Sequence, residues 1–164
     1  MPRLSDWDRE QEAGKEIDPR ARDSEELMRR TLIGLSEQLA EHKELLQEYE
    51  FVRTSSYTDS RHTKADARRS EVRIMNMTEE KAVIQELQET IMAYISLLRE
   101  NRVHDWEVKT KLLKLRHIDR MEWQDICFEL YGDEEDYVAR FNTYKRKMFR
   151  RLECSYRDIF RNIK

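Results

Sequence analysis

Three observations predict an all-α fold for this chain. Only three Gly and two Pro occur in 164 residues, too few turn formers for a sheet-rich domain. Charged residues make up 40% and hydrophobic residues 38%, a balance that suits long helices with solvated faces around a modest core. The apolar residues recur at alternating three- and four-residue spacings, the helical period. The length fits one domain, or a small domain with an extension.

Residues 1–22 are polar and interrupted by Pro2, Gly14 and Pro19, so they read as a flexible N-terminal arm in which Trp7 packs at most locally. Asp23 or Ser24 can cap a first helix, and Glu25 and Glu26 place negative charge in its first turn. From there Met28, Leu32, Leu35, Leu39, His42, Leu46 and Tyr49 follow one another by four and three residues in turn, a heptad seam. His42 takes one seam position, where a polar residue sets register or partner rather than binding a ligand. Gly34 lies off the seam and weakens the helix modestly.

Residues 53–70 are rich in hydroxyl side chains and poor in large aliphatics, which predicts a connector. Thr78, followed by Glu79, Glu80 and Lys81, reads as the start of a second helix with Thr78 as its cap. Ile84, Leu87, Ile91, Tyr94 and Leu98 form its seam. Residues 23–100 are therefore expected to be either an antiparallel hairpin or a coiled coil paired between chains, as in a homodimer. Either arrangement supplies the apolar partner that an isolated helix of this length needs.

Residues 101–164 are read as a separate module. Asp105 can cap a helix from Trp106 to about Ile118, with Val108, Leu112, Leu113 and Leu115 on one face. A tight turn over Asp119–Glu122 leads into a two-turn helix, Trp123 to Leu130, with Trp123, Ile126, Cys127 and Leu130 on one stripe. Gly132 ends it. The acidic run Asp133–Asp136 opens an irregular segment reaching Phe141, although a helix starting as early as Glu134 fits too. The final helix, from Asn142 to Lys164, carries Tyr144, Met148, Leu152, Tyr156, Ile159 and Ile163 on one side.

Charge is unevenly spread in a chain of formal net charge −3. Residues 1–50 carry fourteen acids against eight bases, whereas residues 137–164 carry nine bases against two acids. Phosphates feel only charges within roughly 8–10 Å, so the local excess points to a polyanion. A short helix, a turn and a basic amphipathic helix is the order a helix-turn-helix DNA reader requires. The predicted DNA-facing residues are Asn142, Thr143, Lys145, Arg146, Lys147, Arg150 and Arg151. Arg and Lys near the helix start can bond guanine O6 and N7, and the remaining cations phosphates. Tyr144, Met148 and Leu152 would dock on Trp123, Ile126, Leu130 and the leucines of the 106–118 helix.

Cys127 and Cys154 form no CxxC and have no His at metal spacing, so a buried reduced thiol is expected at Cys127. No metal and no cofactor is predicted. Gly-rich phosphate loops, nucleophile motifs and paired His/Asp constellations do not occur in the sequence, which argues for a binding protein rather than an enzyme. No apolar run approaches the ~20 residues needed to cross a bilayer, and no signal-peptide pattern opens the chain, so a cytoplasmic protein without a membrane partner is expected.

The stretch from Lys114 to Gly132 resembles the C-terminal part of phage-encoded transcriptional regulators of the RinA/ArpU type, themselves similar to region 4 of bacterial sigma factors. Arg116, His117 and Ile118 match the family's Arg-aromatic-Ile element, with His117 where Tyr is usual. Met121 to Leu130 match its tryptophan helix, and Thr143 to Phe149 its recognition helix. The likeness covers residues 106–156. It implies a sequence-specific DNA-binding regulator in a bacterial host cell that activates late genes and contacts RNA polymerase. Two alternatives share the pattern. One is a phage DNA-packaging recognition subunit of the small-terminase kind, in which the DNA module usually stands at the N-terminus. The other is a helical adaptor that binds no DNA.

Overall fold

A computed structural model of the chain describes residues 19–55 and 64–163. Of the expected arm over 1–22, residues 1–18 lie outside the described residues and 19–22 are helical instead. Among those described, regular structure is entirely helical: α1 (Pro19–Ser55), α2 (Lys64–Glu100), α3 (Trp106–His117), α4 (Trp123–Tyr131) and α5 (Phe141–Arg161).

The starts of α1 and α2 differ from expectation. α1 begins at Pro19, so Asp23 and Ser24 lie inside the helix rather than capping it. Pro is tolerated in the first turn because the N–H it lacks has no intrahelical partner there. α2 begins at Lys64, fourteen residues before Thr78. The Thr78 hydroxyl, far from capping a terminus, donates to the Ile74 carbonyl at 2.8 Å, the back-bond a mid-helix Thr makes. Helix therefore occupies most of the expected 53–70 connector, and only residues 56–63 of it lie outside the description.

α1 and α2 are each 37 residues long, about 55 Å at 1.5 Å per residue. They pack along one another. The eight intervening residues span less than ~30 Å even fully extended, too short to return the chain for parallel pairing. The contact between His42 Nδ1 and Glu80 Oε2 fits the antiparallel register. Met28, Leu32 and Leu39 of α1 and Ile91, Ile95 and Leu98 of α2 are buried in one cluster, with Leu35, Ile84 and Leu87 at its edge. The two seams thus face each other within the chain. Ile95, off the seam as read, is buried because α2 is also covered by α3 and α5.

The three C-terminal helices build on this pair and share its core through Leu112, Leu113, Ile126, Cys127, Met148, Leu152, Tyr156 and Ile159. Asp105 precedes α3 as expected but makes no capping hydrogen bond; its backbone is left-handed, as are Arg102 and Arg120. Arg120 Nη1 reaches Ser36 Oγ of α1 at 3.3 Å and ties the α3–α4 turn to the hairpin. Two buried polar side chains of α3 are paired with α5. His117 Nε2 meets the Tyr156 hydroxyl at 2.7 Å, and the ammonium of Lys109 pairs with Asp158 at 2.9 Å. Ile163 lies beyond the end of α5 and is 46% exposed, so the expected apolar face stops at Ile159.

Candidate nucleic-acid interface

α5 starts at Phe141, one residue before the expected start. The acidic segment before it forms an ordered series of turns. Tyr144 donates to Asp136 Oδ1 at 2.6 Å, and Arg140 pairs with Oδ2 of the same carboxylate at 3.3 Å. The Tyr144 bond, then the Arg140 charge, hold the Asp136 carboxyl below its usual range, and Tyr144 is correspondingly pushed up to about 12. Around these groups Phe128, Tyr131, Tyr137, Phe141 and Tyr144 make consecutive ring contacts, with centroids 5.2 to 6.0 Å apart. This aromatic cluster fixes where α5 begins, and the apolar stripes that predicted the helices do not include Tyr131, Tyr137 or Phe128.

Trp123 of α4 contacts both α5 and α3. Trp123 packs on Phe149 with centroids 4.8 Å apart, and the Arg116 guanidinium lies 4.2 Å from the Trp123 ring. Trp123 is half-buried, whereas Ile126 and Cys127 beside it are wholly enclosed. Met148 and Leu152 face the core as expected, and Tyr144 stacks on Tyr131 at the α4 end.

The outward side of α5 then resolves into a stripe. Asn142, Thr143, Arg146, Lys147 and Arg150 are all exposed. At 100° per residue they occupy an arc of about 140°, and they extend about 12 Å along the axis. Lys145 and Arg151 stand at the edges of that arc and are half-buried. Lys145 lies 5.9 Å from the Phe149 ring. Arg151 departs from the expectation of a free outward cation. Its guanidinium donates to the Tyr131 hydroxyl at 2.8 Å and stands 3.8 Å from the Asp105 carboxylate, clamping α5 to the α4 end and the α2–α3 turn.

Followed toward the C-terminus, the same stripe reaches Glu153, Cys154 and Arg157, where α1 lies over it. Arg157 pairs with the buried Glu25 at 3.1 Å. Burial, and then the charge of Glu25, push the Glu153 carboxyl up to about 7. The basic helix is therefore divided. Its second half is fastened to α1 and α3 by Arg157 and Asp158, while the first half presents its cations to solvent. No side chain caps the N-terminus of α5 and no acid stands in its first turn, so the positive end of the helix dipole lies beside the stripe.

The chain was compared with protein-family models, with curated proteins and with solved structures. None of them matches it. Among the described residues no group of His, Cys, Asp and Glu is placed to hold a metal ion, and no helix is long and apolar enough to cross a membrane. Cys127 is buried, its thiol pushed up mainly by that burial, and Cys154 is half-buried.

Proposed function

We propose that this chain binds double-stranded DNA with the first half of α5 as the recognition helix of a sigma region 4-like helix-turn-helix, α4 being its supporting helix. On this reading it is a sequence-specific transcription regulator of the phage type that its sequence resembles, with RNA polymerase as a second partner. The observation that carries the proposal is the exposed stripe of Asn142, Thr143, Arg146, Lys147 and Arg150 on a helix whose opposite side is locked into the core. The length of the stripe suits entry into a major groove about 12 Å wide from the helix N-terminal end. Asn142 and Thr143 would read base edges there, Arg146 would reach a guanine, and Lys147 and Arg150 would meet phosphates. The nine residues 132–140 make a longer turn than the three- or four-residue connection of a simple helix-turn-helix; the aromatic cluster supplies the rigidity that a short turn would otherwise give.

The test is fluorescence anisotropy with duplex DNA at ~100 mM salt, including duplexes selected from a random pool. Replacing Arg146 and Arg150 together by Ala is expected to weaken binding at least ~10-fold and to flatten the salt dependence by about 0.9 in slope, the share of the one phosphate that Arg150 would meet. The melting temperature should stay within a degree or two, because both residues are exposed. Unchanged affinity for every duplex would remove α5 as the DNA-binding element.

A further inference from the structure

The heptad seams of α1 and α2 are closed on each other within the chain, so pairing two chains through those seams would require the hairpin to open. Another part of the hairpin is left uncovered. Among the described residues, none after Leu39 on α1 and none before Met77 on α2 is buried. The α1 residues that hydrogen-bond to the C-terminal helices and turns, Glu25 and Ser36, lie in its first half. Among the described residues the far end therefore consists of two helices without a third layer.

That end is nevertheless apolar. Leu45 is 39% exposed, Val72 55%, Ile74 54% and Met75 63%. Its two helices also carry opposite charge. Residues 41–50 hold four Glu against one Lys, and residues 64–73 hold four Lys or Arg against one Asp and one Glu. Glu41, Glu44 and Glu48 on α1 are exposed, as are Arg68 and Arg69 on α2. Among the described residues no ion pair joins Glu41, Glu44 or Glu48 to Arg68 or Arg69 within the chain; His42 meets Glu80 across the two helices.

We infer that a second copy of this chain docks on this end, α1 of each protomer lying against α2 of its partner in a four-helix bundle around Leu45, Val72 and Met75, the last two sharing one face of α2 at i and i+3. One chain carries both halves of the complement, an acidic strip and a basic strip. A two-fold axis matches each strip to its opposite twice. The same operation covers the exposed apolar side chains at a polar-rimmed contact. The inference does not depend on DNA binding.

Sedimentation velocity on the full chain, from about 1 to 100 µM at ~100 mM salt, is expected to show a concentration-dependent dimer. The double variant Glu44→Lys, Glu48→Lys and the double variant Arg68→Glu, Arg69→Glu should each dimerise at least ~10-fold more weakly, since like charges then face each other across the contact. Mixed in equal amounts, the two should recover a dimer. The variant Val72→Glu, Met75→Glu should be monomeric at any salt concentration, and circular dichroism should show native helix content in all three. A wild-type monomer at 100 µM would overturn the inference. So would a dimer indifferent to every substitution, or a mixture of the two charge variants that stays monomeric.

Discussion

Gly34 and Gly132 show how differently one residue type can be constrained. A Cβ built on Gly34 meets nothing within 4 Å, so this glycine in the middle of α1 carries only the entropic cost of its freedom in the unfolded chain. Gly132 has the ordinary right-handed backbone, φ −61°, and its conformational freedom is not used. A Cβ there would crowd the Phe128 carbonyl and lie 2.8 Å from Cδ2 of the Phe128 ring. Gly34→Ala is expected to stabilise the protein by about 0.5–1 kcal/mol. Gly132→Ala should destabilise it by about 1–2 kcal/mol, in the range of overpacking. Urea midpoints measured side by side decide both, and shifts of the same sign would refute the contrast. Two titrating groups make a second residue-level prediction. His117 is pushed down to about 3, first by burial and then by Arg116 and Arg120. As pH falls from about 6.5, the imidazole therefore takes up a proton in the unfolded chain but not in the fold, and stability is lost. Glu153, raised to about 7, acts in the opposite sense. From about 4.5 up to about 7 the fold holds the proton that the unfolded chain releases, so its contribution declines as pH rises. The two effects oppose each other between about pH 4.5 and 6.5. Glu153→Gln is expected to be more stable than wild type at pH 8 and equal to it at pH 4, read from urea midpoints. A gain of the same size at both values would show that the carboxyl does not titrate in this window.

The elements were legible in the sequence wherever an apolar stripe and a terminus coincided, as in α3 and α4. α2 shows why that reading stops short elsewhere. Upstream of Met77 the positions that would continue the heptad spacing are Arg73 and Ser70 instead of leucines, so the seam fades while the helix continues back to Lys64. Thr78 stands where the seam strengthens and imitates a cap, because Thr suits both a cap and a mid-helix back-bond. Burial of Lys109 and His117 was not legible, since their partners Asp158 and Tyr156 lie 49 and 39 residues away. On α5 the helical period alone separates Asn142, Thr143, Arg146, Lys147 and Arg150 from Met148 and Leu152. It does not reveal that Arg151 is held by Tyr131 and Asp105, because that clamp depends on how α5 sits against α4 and the α2–α3 turn. Nor does it reveal α1 lying over the second half of the stripe. Both facts narrow the candidate interface to the first two to three turns of α5, the part that a groove-reading helix uses.

At the scale of the whole molecule, stability is expected to be graded along the hairpin. At one end α1 and α2 belong to a core shared by all five helices. At the other they have only each other, with partly exposed seam residues such as Leu46 and Tyr49. Helices of this kind owe their stability to tertiary packing more than to propensity, and regions with few buried apolar contacts open first. In the variant Val72→Glu, Met75→Glu, amides at 43–51 and 67–76 should therefore exchange hydrogen at least ~10-fold faster than those at 28–39 and 87–98. In wild type at concentrations where the dimer forms, the far end should gain protection while the near end does not, because only the far end acquires a new neighbour. Hydrogen exchange followed by mass spectrometry resolves the four segments in one experiment. Equal protection at both ends of the variant would mean that two helices suffice to hold the arm. Concentration-dependent protection spread over α5 would instead place the contact between chains on the exposed basic stripe, where it would compete with the proposed DNA binding.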